Sequence, residues 1–176
     1  TYALLSQSGA TITYYGGYDG GATDQYWNQN YHPAAGGGGA NQAGESPNSN
    51  TSNGGYGGEG KQITWVTPDA LGFTTGSGSR NNTAYNAGFY FSGGGGGSVE
   101  NTATTGAGGK GGGGAGNHST GVLGSTGSYS INEGTSVNSG TGNHGGANTG
   151  GGAGGNYSTG QTNNGGSGIV VIRYAI

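Results

Sequence analysis

Runs of glycine limit what this chain can fold into. Uninterrupted stretches at 36–39, 93–97 and 111–114 stand out, and glycine fills 49 of the 176 positions. Glycine loses more backbone freedom on folding than any other residue. A glycine tract can therefore be held in one conformation only if its N–H and C=O groups find hydrogen-bond partners. It has no side chains to supply them, so the partners must be other stretches of main chain.

Two simpler fates for such a chain are collagen and disorder. Collagen requires glycine at every third position with abundant proline between, yet "NHGGANTGGGAGGN" keeps no such frame and proline occurs only at Pro33, Pro47 and Pro68. Disorder is the stronger rival, because Leu, Ile, Val and Phe together number only 19, too few for an oily core to offset the entropy of ordering. Disordered chains, however, are commonly charged and poor in aromatics. This one has a formal net charge of only −3 and carries 12 Tyr, 3 Phe and 2 Trp.

The expected fold is all-β or irregular, with essentially no helix: a bundle of polyglycine II type, flanked or capped by short β-strands. Extended segments with three residues per turn can lie close enough, when they lack side chains, to bond laterally in several directions. Five stretches read as strands: "ALLSQSGATITYY" (3–15), "KQITWV" (61–66), "AYNAGFYFS" (84–92), "YSINEGTSV" (129–137) and "GIVVIRYAI" (168–176). Glycine-rich tracts at 34–60, 92–121 and 140–168 separate them. Helix is not expected, since glycine is about 1 kcal/mol worse than alanine inside one and no window shows helical periodicity. The chain reads as a single domain over 1–176, with an aromatic-rich strand and loop part at 1–97, a glycine-rich bundle part at 98–167 and a closing β-strand at 168–176. The β-branched residues Ile169, Val170, Val171 and Ile172, with Tyr174, suit a strand, one expected to insert among earlier strands such as "KQITWV".

The ending "GGSGIVVIRY" (165–174) resembles the closing signature of glycine-rich structural and tail-fibre proteins of bacteriophages, marine cyanophages particularly, and of related bacterial surface proteins. "YFSGGGGGS" (90–98), "GAGGKGGGGAG" (106–116) and "GANTGGGAGG" (146–155) are similar to other parts of that family. The resemblance covers 34–176 reasonably and 1–33 weakly. It implies a place on the virion surface, with polyglycine bundles presenting receptor-binding loops.

No enzyme motif stands out. Without Cys or Met there are no disulfides, thiolate metal sites or cysteine nucleophiles. Lys110 is followed by Gly111 rather than Ser or Thr, which fails the Walker A pattern, and no GxSxG elbow occurs. His32, His118 and His144 are widely spaced, and Asp19 and Asp24 match no calcium-loop pattern. Neither a metal nor a cofactor is expected. The segment "YYGGYDGGATDQYWNQNYH" (14–32) is the main binding candidate. Tyr14, Tyr15, Tyr18, Tyr26, Trp27 and Tyr31 offer large contact area for few rotors, and the amides between them give adaptable hydrogen bonds. They suit a glycan or a neighbouring subunit; Arg80, in "GFTTGSGSRNNTAYN", is a second candidate contact.

Four scattered basic residues, Lys61, Arg80, Lys110 and Arg173, cannot track a phosphate backbone, so no nucleic acid is expected. No apolar run approaches the ~20 residues of a membrane span. The sequence thus reads as a non-enzymatic virion protein (a tail-fibre, adhesin or capsid-decoration subunit) that contacts other virion proteins or copies of itself and offers a surface for host glycan. A bacterial extracellular fibril or surface-layer protein is the alternative. An ice-binding protein ranks last, because its threonines keep no regular spacing.

Overall fold

The computed structural model describes residues 16–23, 32–47, 52–67, 88–100, 103–118, 123–137, 143–157 and 162–173. Regular secondary structure among them amounts to one small antiparallel hairpin-like pair, β1 (Lys61–Ile63) and β2 (Phe89–Phe91), and there is no helix. The rest of the described chain runs in extended segments that form no sheet but bond to one another on several sides.

Hydrogen bonds between these segments recur at every third residue. Ala34, Gly37 and Ala40 donate to the carbonyls of Ser98, Gly95 and Ser92, an antiparallel pairing. Gly54, Gly57 and Gly60 donate to Thr104, Ala107 and Lys110, and Gly93, Gly96 and Val99 donate to Gly111, Gly114 and Asn117, both parallel. A threefold extended helix returns to the same azimuth every third residue, so each neighbour is met with that period and intervening residues serve other neighbours. The expected polyglycine II type of bonding is therefore visible in the register.

Segment 92–99 shows the consequence most fully. It is bonded to five surrounding segments, 34–40, 54–60, 104–110, 111–117 and 149–155, with N···O distances of 2.7–3.2 Å. A strand in a sheet has two neighbours at most. Residues 93–99 and 111–118 are buried throughout, so the middle of this protein is main chain. The bundle also reaches well before residue 98, since 16–23, 34–40 and 54–60 are integral to it; the boundary expected at 97 does not divide the bundle from the rest.

Side chains are excluded from this interior by distance. A methyl group placed on Gly94 would lie 2.1 Å from the Gly37 carbonyl oxygen, and one on Gly106 would lie 1.9 Å from that of Gly55. Where segment 104–110 turns back into 113–117, Gly111 and Gly112 have φ of +98° and +90°, a region that residues with a Cβ rarely adopt. Polar side chains occupy places where tracts end. The buried Asn143 donates to the Gly116 carbonyl and accepts from the Val137 N–H, and the buried Thr149 bridges Gly146 and Gly151.

Among the described residues one apolar cluster forms at the end that carries β1 and β2. In β1 and β2, Lys61, Gln62 and Ile63 oppose Phe91, Tyr90 and Phe89. Alternation places Phe89 and Phe91 on one face, where Phe89 packs with Val66 and Ile131, bordered by Ile63, Phe91 and Val171. Sequence and structure agree on the hairpin residues within 61–66 and 84–92, but 129–137 forms bends and irregular chain. The expected closing strand is also absent over 168–173, which joins no β-ladder; Tyr174 lies outside the described residues. Four consecutive apolar residues cannot all face one core when neighbours alternate sides. Val171 packs inward, while Val170 and Ile172 are 85% and 78% exposed.

Gly94→Ala is expected to cost at least 3 to 5 kcal/mol or to prevent folding, at the upper end of single-substitution effects because main chain must shift. Gly16→Ala, with nothing near its Cβ position, should be neutral or stabilising by up to about 1 kcal/mol. Denaturant unfolding of both variants checks this.

Candidate functional site

Of the aromatic candidates, Tyr18 falls within the described residues; Tyr14, Tyr15, Tyr26, Trp27, Tyr31 and Arg80 lie outside them. Tyr18 is 56% exposed on segment 16–23, and its N–H donates to the Gly39 carbonyl. The surface therefore presents this ring on a pinned backbone.

The histidines have separate environments. His32 Nδ1 lies 2.6 Å from Glu100 Oε2, and His144 Nδ1 accepts from the Asn164 N–H at 3.0 Å. His118 is buried, and among the described residues neither ring nitrogen has a hydrogen-bond partner. Among the described residues no group of three His, Asp or Glu is placed to hold a metal ion.

Concavities bordered by described residues include one at each of two places on the bundle. The first, about 370 Å³, sits at the apolar end between the hairpin and the C-terminal run. Ile63, Val66, Phe91, Ile169 and Val171 line it, and Trp65, 40% exposed, stands at its edge with Lys61. Beside the exposed Val170 and Ile172 it makes this end the most apolar part of the described surface.

The second lies on a flank where four extended segments run side by side. Glu45 donates from its N–H to the Tyr56 carbonyl, Gly57 to Ala107 and Gly108 to Ser125, at 2.8, 2.8 and 2.9 Å. These bonds order the flank as 42–45, 54–60, 104–110, 123–128. A cleft of about 320 Å³ crosses it, with Gln42, Glu45 and Tyr56 towards one side and Ser125, Thr126 and Ser128 towards the other. Methyl groups on Gly57, Gly108 and Gly109 would point at carbonyl oxygens inside the bundle, at 2.1, 2.1 and 2.0 Å, so the cleft between them is floored by bare main chain.

Lys110 and Glu59 also border this cleft. Lys110 Nζ is 2.7 Å from Glu59 Oε1 and stands 5.6 and 5.7 Å from the ring centroids of Tyr90 and Tyr129. The rings are 6.2 Å apart and tilted by 55°. Two cation–π contacts and an ion pair thus tie the turn at 110 to segment 54–60, β2 and residue 129. The hydrogen bond that Lys110 donates to Glu59 is the main cause that holds the Lys110 pKa above its ordinary value, against a smaller opposing effect of burial. Glu133, whose Oε2 accepts from Thr126 Oγ1 at 3.3 Å, has its pKa raised chiefly by burial.

Sequence reasoning placed no function on Lys110, Tyr56 or Trp65. A signal did exist for the first: it is the lone charge in "GAGGKGGGGAG", where a charged residue needs a partner from elsewhere. No family model, curated protein or solved structure matches the chain.

Folding holds the Lys110 proton more tightly than the unfolded chain does. Its contribution to stability is therefore fully present below pH 10.5 and lost as pH rises through the higher folded-state pKa. The ion pair is partly exposed, so Lys110→Met should cost only about 1 kcal/mol at neutral pH. That variant should also lose part of the alkaline decline in stability. Glu133 has the same sign: folding favours its protonated form, and its ionised form is disfavoured at neutral pH. Glu133→Gln is expected to raise stability at pH 7 and to change nothing below about pH 4. Chemical denaturation across pH tests both.

Proposed function

We propose that this chain is a non-enzymatic structural protein of a bacteriophage particle, a tail-fibre, adhesin or capsid-decoration subunit that serves as a rigid surface scaffold. One observation carries the reading: the central segment 92–99 is bonded on five sides by main chain. Such an interior resists bending in every lateral direction, and it does so without a large oily core. Low charge, with only four Lys and Arg and seven Asp and Glu, suits close assembly because self-repulsion is small. The ending at 165–174, with its resemblance to phage fibre proteins and related bacterial surface proteins, supports a role on an outer surface.

In this reading the two ends of the requirement, holding on and reaching out, fall to different surfaces. The apolar end around Trp65, Val170 and Ile172 attaches the module to other virion proteins or to copies of itself. Exposed apolar surface of this kind marks an interaction site more often than chance exposure. Polar and aromatic surface on the bundle is left for contact with the host. Among the described residues no helix is long and apolar enough to cross a membrane, and attachment through a protein partner needs none.

Antibodies raised against the chain should label purified phage particles at the tail or capsid in electron micrographs. Label confined to filaments on uninfected bacteria would instead make it a cellular fibril protein. Val170→Asp combined with Ile172→Asp, both at exposed positions, should leave unfolding within about 0.5 kcal/mol of the parent while abolishing incorporation into particles. Quantitative labelling of particles assembled with the variant checks the second point.

A further inference from the structure

We propose that the flank cleft bordered by Tyr56 is a binding site for a neutral saccharide. This rests on the reading of the chain as a surface attachment protein, and it names a place and a ligand class that the reading alone does not.

The argument begins with size and shape. At about 320 Å³ the cleft is at the small end of ligand pockets, sufficient for one or two sugar rings. Its floor is the bare main chain at Gly57, Gly108 and Gly109, whose N–H groups donate to Ala107, Ser125 and Gly94. A floor of this kind is already in place before a ligand arrives, so little ordering accompanies binding.

The chemistry of the walls is mixed in the way a sugar ring demands. Tyr56 is 48% exposed, and its carbonyl is fixed by the Glu45 N–H, so an aromatic face stands at the edge on an anchored backbone. Aromatic rings accept the C–H face of a sugar, and a Tyr side chain has few rotors to immobilise. Gln42 supplies both a donor and an acceptor, Glu45 supplies acceptors, the hydroxyls of Ser125 and Ser128 act in either sense, and that of Thr126, which donates to Glu133, can accept. A ligand that donates and accepts around its whole rim matches this set, whereas a purely apolar one would leave it unpaired.

Charge selects within that class. Lys110, the single cation among the lining residues, is engaged by Glu59 and lies over Tyr90 and Tyr129. With Lys110 and Glu59 offsetting each other, Glu45 leaves the cleft with a net negative charge, and a carboxylate or phosphate on the ligand would be repelled. Neutral hexoses and N-acetylhexosamines fit; uronic, sialic and phosphorylated sugars do not.

The test uses the full chain, titrated by calorimetry and NMR with neutral hexose and N-acetylhexosamine oligosaccharides in solution, with the same sugars immobilised as polysaccharide, and with acidic sugars. Saturable binding of a neutral sugar is expected, weakened about tenfold or more by Tyr56→Ala and by Gln42→Ala, with Tyr18→Ala unchanged. Stronger binding to immobilised polysaccharide than to free oligosaccharide would identify a surface glycan as the source, and equal binding a free sugar; either supports the site. Absence of saturable binding, binding indifferent to Tyr56→Ala, or preference for acidic sugars overturns it. Hydrogen exchange confirms that each variant keeps its protected tracts. Binding that fails while particles are still labelled removes the site alone, and Tyr56-dependent binding with no labelled particles removes only the particle role.

Discussion

Everything in this structure follows from the requirement that a buried peptide group be paired. A hydrogen bond between two amides contributes only about 1 kcal/mol net, but leaving one unpaired and buried costs about 1 to 3 kcal/mol. In a chain with a conventional core, that requirement is met within helices and sheets, and side chains supply the attraction between them. Here residues 93–97 and 111–114 are buried glycines with no side chains at all, so the pairing itself sets how the segments lie. Dispersion between closely approaching backbones adds to it, and both contributions depend on the absence of Cβ atoms at positions such as Gly94 and Gly106.

That constraint explains where the other residue types are found. Side chains of any size must sit on the outside of the bundle or at its ends, which is where Phe89, Val66 and Ile131 form the small apolar cluster. Polar residues that are buried, among them Asn143 and Thr149, replace main-chain partners where a tract stops. Lys110 does the corresponding work for a turn, with its charge met by Glu59 and two aromatic rings. The flank cleft is a by-product of the same rule, since the glycines that pack inward leave no side chains on their outer face.

The bundle was legible in the sequence, because glycine without a repeating frame and without proline leaves few other ordered states. The strands Lys61–Ile63 and Phe89–Phe91 were legible, from β-branched and aromatic residues flanked by glycine, but their pairing with each other was not. The closing run misled: Ile169, Val170, Val171 and Ile172 have strand propensity, but propensity does not provide an edge to pair with, and Tyr129 already bonds to Tyr90 beside β2. The environment of Lys110 could not be read at all, since its partners at 59, 90 and 129 come from separate stretches of low-complexity chain. Tract registers are equally hidden, because one glycine looks like the next.

The period of three has an implication for how such chains can vary through descent. Deleting or adding a single residue inside a tract turns every following amide by about 120° about the segment axis, directing each at a different neighbour. In segment 92–99, with obligations on five sides, every bond past the change would be lost together. Loss or gain of a complete turn restores each direction and merely slides the segment along its companions. Lineages of this architecture should therefore differ in tract length by whole triplets of amino acids, and freely only in the loops between tracts.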